Sequence, residues 1–417
     1  MRSDAATFWR NTASVLSGTV VAQAIPLVGT LIMARLYAPA HFGTFAAWLA
    51  IVTVLAVALT GRFESSLAVV DDGEARETAF FVTLATVGLF GMAAMLIVAV
   101  LAAAAPALLG MPPLLMATLV PAAIAYALSQ SWESYAAAEG SYRWLSILRI
   151  VQAALVLAIQ VGTGIAHPSA EALACAFTLG VGLTLLVSSR VFPARLPPAG
   201  TRWAELRAFW REQRSFPMFA LPADTINTFS AQLPVLIVAS RFGADYAGYL
   251  AMTIRLLGAP VTLLGRSVLD VFKRYASVSF REKGHCREEY LQTLRTLALG
   301  ALAFCIGMLL FGKTAFVLLL GSKWAMAGEM AIWLLPLFSL RFVASPLSYT
   351  FYIVGKQHFD LIWQIVLLAM TVATLNMAAS ADMALKTYAY GYSLLYLAYL
   401  YLSYRCSLGV KQKKSMV

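Results

Sequence analysis

Apolar runs of about the length needed to cross a membrane follow one another along nearly the whole chain, parted by short polar breaks. Twelve runs predict twelve helices, over residues 12–36, 43–69, 78–104, 114–138, 145–166, 170–190, 215–240, 246–268, 291–311, 328–352, 359–379 and 384–404. The pattern also repeats on a longer scale. From Gln23 to Arg62 the chain holds an apolar run, an Arg, a Pro-containing turn, a second apolar run and then Gly61-Arg62. The same order returns between Ala231 and Ser267. Gln23 matches Gln232, Arg35 matches Arg241, Gly43 matches Gly248, and Gly61-Arg62 matches Gly265-Arg266, at offsets falling from 209 to 204 residues. The expected fold is therefore an all-α integral membrane protein of about 12 transmembrane helices in two related six-helix bundles. The expected domains are an N-terminal lobe over 1–196, a linker over 197–214 and a C-terminal lobe over 215–417.

Composition agrees with the pattern. The 417 residues are 60% hydrophobic and 12% charged, with a mean hydropathy of +0.76. A soluble domain carries about 25% charged residues. Arg2 and Arg10 precede a first apolar run too long for a signal-peptide core and without a small-residue cleavage site, so that run reads as a retained helix. The four cysteines, Cys175, Cys286, Cys305 and Cys406, lie far apart, and the four histidines are equally scattered. Neither a disulfide framework nor a metal site is indicated, and no cofactor is called for.

The net charge of +11 is first a matter of orientation, not of nucleic acid. With twelve spans, 23 Lys and Arg residues fall on the side of the termini, 5 fall on the opposite side, and Arg62, Arg255 and Arg341 remain inside spans. The excess of positive charge places both termini in the cytoplasm. The longest loop, Arg190 to Ser215, lies on that side. There Trp203, Leu206, Phe209 and Trp210 recur at helical spacing among arginines, a pattern that suits a short helix in the headgroup layer or a linker that only sets topology. A second basic loop is expected from Lys273 to Arg287. The acids Asp71, Asp72, Glu74 and Glu77 suit a helix start, with Asp72 as the candidate cap.

Ionisable groups inside spans cost about 2.5–3.5 kcal/mol each even on a lenient insertion scale, so they ordinarily face a polar interior. Arg62, Glu64, Glu133, Asp224, Arg255 and Arg341 are such groups, joined by the neutral Gln23, Gln130, Asn227 and Gln232. Arg341 lies about 18 Å into its span, and Arg255 and Asp224 lie about 12 Å from their nearer ends. An arginine fork suits phosphate oxygens, so Arg62, Arg255, Arg341, Gln23, Gln232 and Asn227 are candidate substrate-binding residues. Glu64, Glu133 and Asp224 are candidate sites of ion or proton coupling. The alternative is that these acids and arginines pair only with each other. Arg62 and Glu64 are two residues apart and do not share a helix face, so direct pairing between them is not to be assumed. No arrangement of a nucleophile with a base, no zinc-protease motif and no Gly-rich phosphate loop is present, which argues against an enzyme.

Three stretches resemble a known family. Asn11 to Leu27, Ala34 to Phe45 and Thr60 to Val70 are similar to the opening of Wzx-type polysaccharide flippases, of the multidrug/oligosaccharidyl-lipid/polysaccharide (MOP) transporter superfamily. Leu256 to Phe272 and Ser345 to Ser348 are also similar to that family. The resemblance implies two helical bundles forming a V, a central cationic cavity and alternating access. It implies an undecaprenyl-diphosphate-linked oligosaccharide as substrate, moved from the cytoplasmic to the periplasmic leaflet of a bacterial inner membrane for surface polysaccharide synthesis. The implied partners are that substrate, membrane lipids and, further out, the polymerase and chain-length machinery. Two other readings stand beside it: a small-molecule or cation antiporter of the multidrug branch, and a membrane glycan polymerase or ligase. Such enzymes place reactive groups in large periplasmic loops, which are lacking here.

Overall fold

A computed structural model describes residues 25–104, 111–191 and 203–409. Among these residues the regular structure is helical throughout. The helices are α1 (Ile25–Leu36), α2 (Pro39–Leu59), α3 (Glu74–Ala104), α4 (Pro113–Ala138), α5 (Tyr142–Ala166), α6 (Ala170–Val191) and α7 (Trp203–Glu212). They continue as α8 (Leu221–Phe242), α9 (Ala244–Lys283), α10 (Arg287–Leu320), α11 (Ala325–Leu347), α12 (Thr350–Ile353), α13 (Gln357–Met377) and α14 (Ala381–Ser407). Eight are long and apolar enough to span a bilayer: α2 to α6, α10, α11 and α13. The other four predicted spans correspond to α1, whose N-terminal part lies outside the described residues, and to α8, α9 and α14. These last three are long enough but more polar: α8 carries Asp224, Asn227 and Gln232, α9 carries Arg255, and α14 holds seven tyrosines. The protein is a multi-pass membrane protein.

Contacts divide the chain into two compact units, one running to Leu236 and the other from Ile237. In the first, α4 packs against α2, α3 and α6, and α5 lies on α6. Trp48 of α2 is fully buried and donates its indole N–H to the Leu115 carbonyl of α4 at 2.9 Å. Tyr37 donates to the Gln160 carbonyl of α5 at 2.6 Å. The α5–α6 contact depends on a small residue: a Cβ on Gly180 would sit 2.7 Å from the Val156 Cα. Close backbone approach through small residues is how helices associate where lipid supplies no hydrophobic drive.

In the second unit α11 is central, packed against α9, α10 and α14, with Met330, Ala331 and Leu334 wholly buried. Pro336 and Pro346 lie inside α11 without ending it. Thr253 of α9 donates to the Ala327 carbonyl at 3.0 Å, and the Tyr290 hydroxyl of α10 donates to the Leu400 carbonyl of α14 at 3.0 Å. Arg241 donates to the Leu375 carbonyl at 2.8 Å and also to the Asn376 carbonyl. It thereby satisfies carbonyls that the end of α13 leaves open, a capping role.

Three local expectations are corrected. The predicted span 43–69 ends as an α-helix at Leu59, because Gly61 and Arg62 both take left-handed backbone angles (φ 59° and 61°) and a 3-10 helix, Phe63–Ala68, follows. Glycine adopts that conformation freely; arginine does so at a cost of about 1–2 kcal/mol. The expected basic loop from Lys273 is instead the last part of α9, which runs on to Lys283 before a short turn at Gly284. α3 begins at Glu74, which leaves Gly73 at the cap position, and Asp72, one place earlier, pairs with Arg76, which also binds Glu139 at 3.0 Å.

Two outcomes follow. Gly180→Val should lower stability by about 1–3 kcal/mol through overpacking against α5, read as a lower midpoint of thermal unfolding in detergent. Burial pushes the Cys286 thiol up to about 12, and its backbone N–H is held by the Ser407 carbonyl at 2.9 Å. The thiolate is the reactive form, so Cys286 should resist a membrane-permeant maleimide at pH 7.5 in the folded protein and label only after denaturation, as peptide mass spectrometry would show.

Candidate functional site

The break after α2 brings three predicted residues together. Glu64 lies two residues beyond Arg62 on the 3-10 helix, and Asp224 lies in the first turn of α8. Arg62 donates from its terminal nitrogen to Glu64 Oε1 at 2.8 Å, while its Nε lies 2.7 Å from Asp224 Oδ2. The second contact is an ion pair by distance without the alignment of a hydrogen bond, since the Nε–H has no hydrogen-bond acceptor. Pairing over two residues is possible because Arg62 is left-handed and off the helix, so the facing rule for a regular helix does not apply. Glu64 is 6% exposed, and among the described residues its Oε2 has no hydrogen-bond partner. Two carboxylates thus hold one guanidinium.

The aromatic packing that fixes this cluster comes partly from the linker. Phe63, between Arg62 and Glu64 in sequence, is buried with Leu67, Phe80 and Phe209. The rings of Phe209 and Trp210 on α7 lie 6.3 and 6.2 Å from the Phe63 ring. Phe209 of the candidate headgroup helix is therefore a core residue; the side chains of Trp203 and Leu206 lie outside those described. The sequence spacing exposed an apolar face on α7 but not what it covers.

The remaining predicted residues are placed separately. Glu133 of α4 accepts from Arg149 Nε of α5 at 2.9 Å, a tie between neighbouring helices. Asn227 is exposed on α8, one turn past Asp224, and Gln232 is half-buried two turns past it. Gln23 lies outside the described residues. In the second unit Arg255 is half-buried on α9 and Arg341 is exposed on α11. On α14, which packs against α11, stand Tyr388, Tyr392 and Tyr396. These tyrosines form a row, with ring centroids 5.3 Å apart at each step. They carry no charge, but their spacing of four residues sets them on one helix face.

Chemically, an arginine held by carboxylates is a site that an anion can enter only by competing with them.

Comparison with known proteins places the chain. The family described as polysaccharide biosynthesis protein matches residues 32–329. This chain belongs to that family. Among curated proteins no sequence matches significantly. Among solved structures the fold is similar to lipid II flippase MurJ in an inward closed conformation, at 12% identity over 94% of this chain and 87% of that one, with a TM-score of 0.73. It is also similar to an inward-facing multidrug resistance MATE family transporter of the MOP superfamily, at 13% identity, 93% and 95% coverage and a TM-score of 0.63. A third is a MOP superfamily transporter from Pyrococcus furiosus, described as having a binding pocket of reverse polarity, at 15% identity, 95% coverage of both chains and a TM-score of 0.59. The fold is that of MOP-superfamily transporters.

Removing Arg62 leaves Glu64 buried beside no cation. Arg62→Ala should destabilise by about 2–3 kcal/mol, below the range for fully buried pairs because Arg62 is partly exposed. The double variant Arg62→Ala/Glu64→Gln should recover most of that loss in thermal unfolding, whereas Asp224→Asn alone should change it little.

Proposed function

We propose that the protein is a flippase that moves undecaprenyl-diphosphate-linked oligosaccharide units from the cytoplasmic to the periplasmic leaflet of a bacterial inner membrane, by alternating access and with both termini in the cytoplasm. Membership of the polysaccharide biosynthesis family carries this reading. The chemistry of the intramembrane residues supports it: three arginines at span depth suit a diphosphate far better than they suit a cationic drug. Arg341 and Arg255 hold the diphosphate; Arg62, Gln232, Asn227 and Gln23 remain candidate substrate contacts. The lipid tail remains in the bilayer while the glycan crosses in water. Glu64 and Asp224 compete with phosphate for Arg62, so their protonation would release the guanidinium, which is how coupling to an ion would enter. Glu133 is already committed to Arg149 and has the weakest claim to such a role. The N-terminal lobe, linker and C-terminal lobe over 1–196, 197–214 and 215–417 form the working division of the chain.

The reading is of a transport protein and not of an enzyme; polymerase and chain-length proteins would act on what it delivers. A MATE-like antiporter is the second reading, favoured by the similarity of fold to a multidrug transporter. Arg341→Ala and Arg255→Ala should each lower export of surface glycan at least tenfold at unchanged membrane levels, with lipid-linked repeat units accumulating in the cytoplasmic leaflet. Full export by both variants would refute the proposed site.

A further inference from the structure

A groove remains that neither the charges nor the proposed transport uses. It lies between α9 and α10, encloses about 690 Å³ and has two unlike walls. Val268, Val271, Phe272 and Tyr275 of α9 form one wall; Glu289, Gln292, Thr293 and Thr296 of α10 form the other. On α10 these polar residues recur at three- and four-residue spacing and so share a face. Val271 is 58% exposed and Tyr275 62% exposed, so the apolar wall is open.

The level of the groove follows from helix length. α9 has 40 residues and α10 has 34. Counted from Ala244, Val268 lies about 36 Å along α9; counted back from Leu320, Glu289 lies about 46 Å along α10. A hydrocarbon core is about 30 Å thick and a bilayer with headgroups about 40–45 Å, so the groove crosses the headgroup layer with Glu289 at its outer end. The helices run antiparallel across the Gly284 turn, which puts Val268 deeper and Glu289 with Tyr275 nearer water.

Glu289 is unusual at this place. It lies in the first turn of α10, where a glutamate ordinarily reaches back to the N–H of the capping residue. That N–H, on Cys286, is donated instead to the Ser407 carbonyl. Glu289 Oε2 is buried and, among the described residues, has no hydrogen-bond partner. An acceptor left open at the outer end of an amphiphilic groove suits a cation carried by an amphiphile.

We propose that this groove binds one phospholipid whose headgroup bears a primary ammonium. The ammonium donates to Glu289, the Gln292 amide and Thr293 hydroxyl donate to the phosphodiester, and an acyl chain runs inward along Val271 and Val268. An anionic headgroup is disfavoured because it would set a second negative charge beside Glu289. The site is independent of what the protein transports.

Native mass spectrometry of the purified, delipidated protein tests this, with phosphatidylethanolamine and phosphatidylglycerol of identical acyl chains. The wild type should retain the former about fivefold better. Glu289→Gln should abolish the preference, and Val271→Trp, which fills the apolar wall without touching a charge, should lower retention of both lipids. A polyprenyl phosphate should not displace the ethanolamine lipid. Equal retention of the two lipids by the wild type, a preference that survives in Glu289→Gln, or displacement by the polyprenyl phosphate would overturn the assignment.

Discussion

A charge inside a bilayer has no water to turn to, and the form of this protein follows from how it meets that constraint. Backbone groups are satisfied within helices, which is why the described regular structure contains nothing else. Hydroxyls that apolar runs carry are turned back on the helix: Thr83, Thr86, Thr184 and Ser188 each donate to the carbonyl four residues earlier. Ionised side chains require more. Arg62 is held by two carboxylates, Glu133 by Arg149, and Arg241 is spent on the open carbonyls of α13. Even the strained backbone at Arg62 has its explanation here, because only off the helix can Arg62 and Glu64 meet.

Much of the fold was legible because the helical run is a physical signal: its length is set by the bilayer and its ends by polar residues. The runs over 114–138 and 170–190 and the helices Pro113–Ala138 and Ala170–Val191 nearly coincide. What the runs concealed were conformations decided by tertiary partners. Gly61-Arg62 and Gly265-Arg266 are the same dipeptide at matching places, yet the first ends a helix and the second continues one. The composition of the dipeptide cannot separate the two. In the first unit the broken form is held by Glu64, Asp224 and the Phe63–Phe209 contact; in the second the helix simply runs on to Lys283.

The same lesson applies to the site. Depth in a span singled out Arg62, Glu64 and Asp224 but could not say that they form one cluster, because the partners come from segments separated by 160 residues. Depth alone also gave Glu133 a coupling role that its bond to Arg149 makes less apt. Conversely, the tyrosines of α14 are neutral and carry no charge signal, although three of them stack in a row.

The central claim is that the cargo is a diphosphate-linked glycan and not a small cation. Purified protein reconstituted into vesicles, with a fluorescent undecaprenyl-diphosphate oligosaccharide in one leaflet and a membrane-impermeant glycosidase outside, tests it directly. The account predicts that lipid-linked glycan reaches the opposite leaflet only in vesicles containing the protein. Vesicles that leave the glycan where it began, yet exchange a cationic dye against a proton gradient, would contradict it.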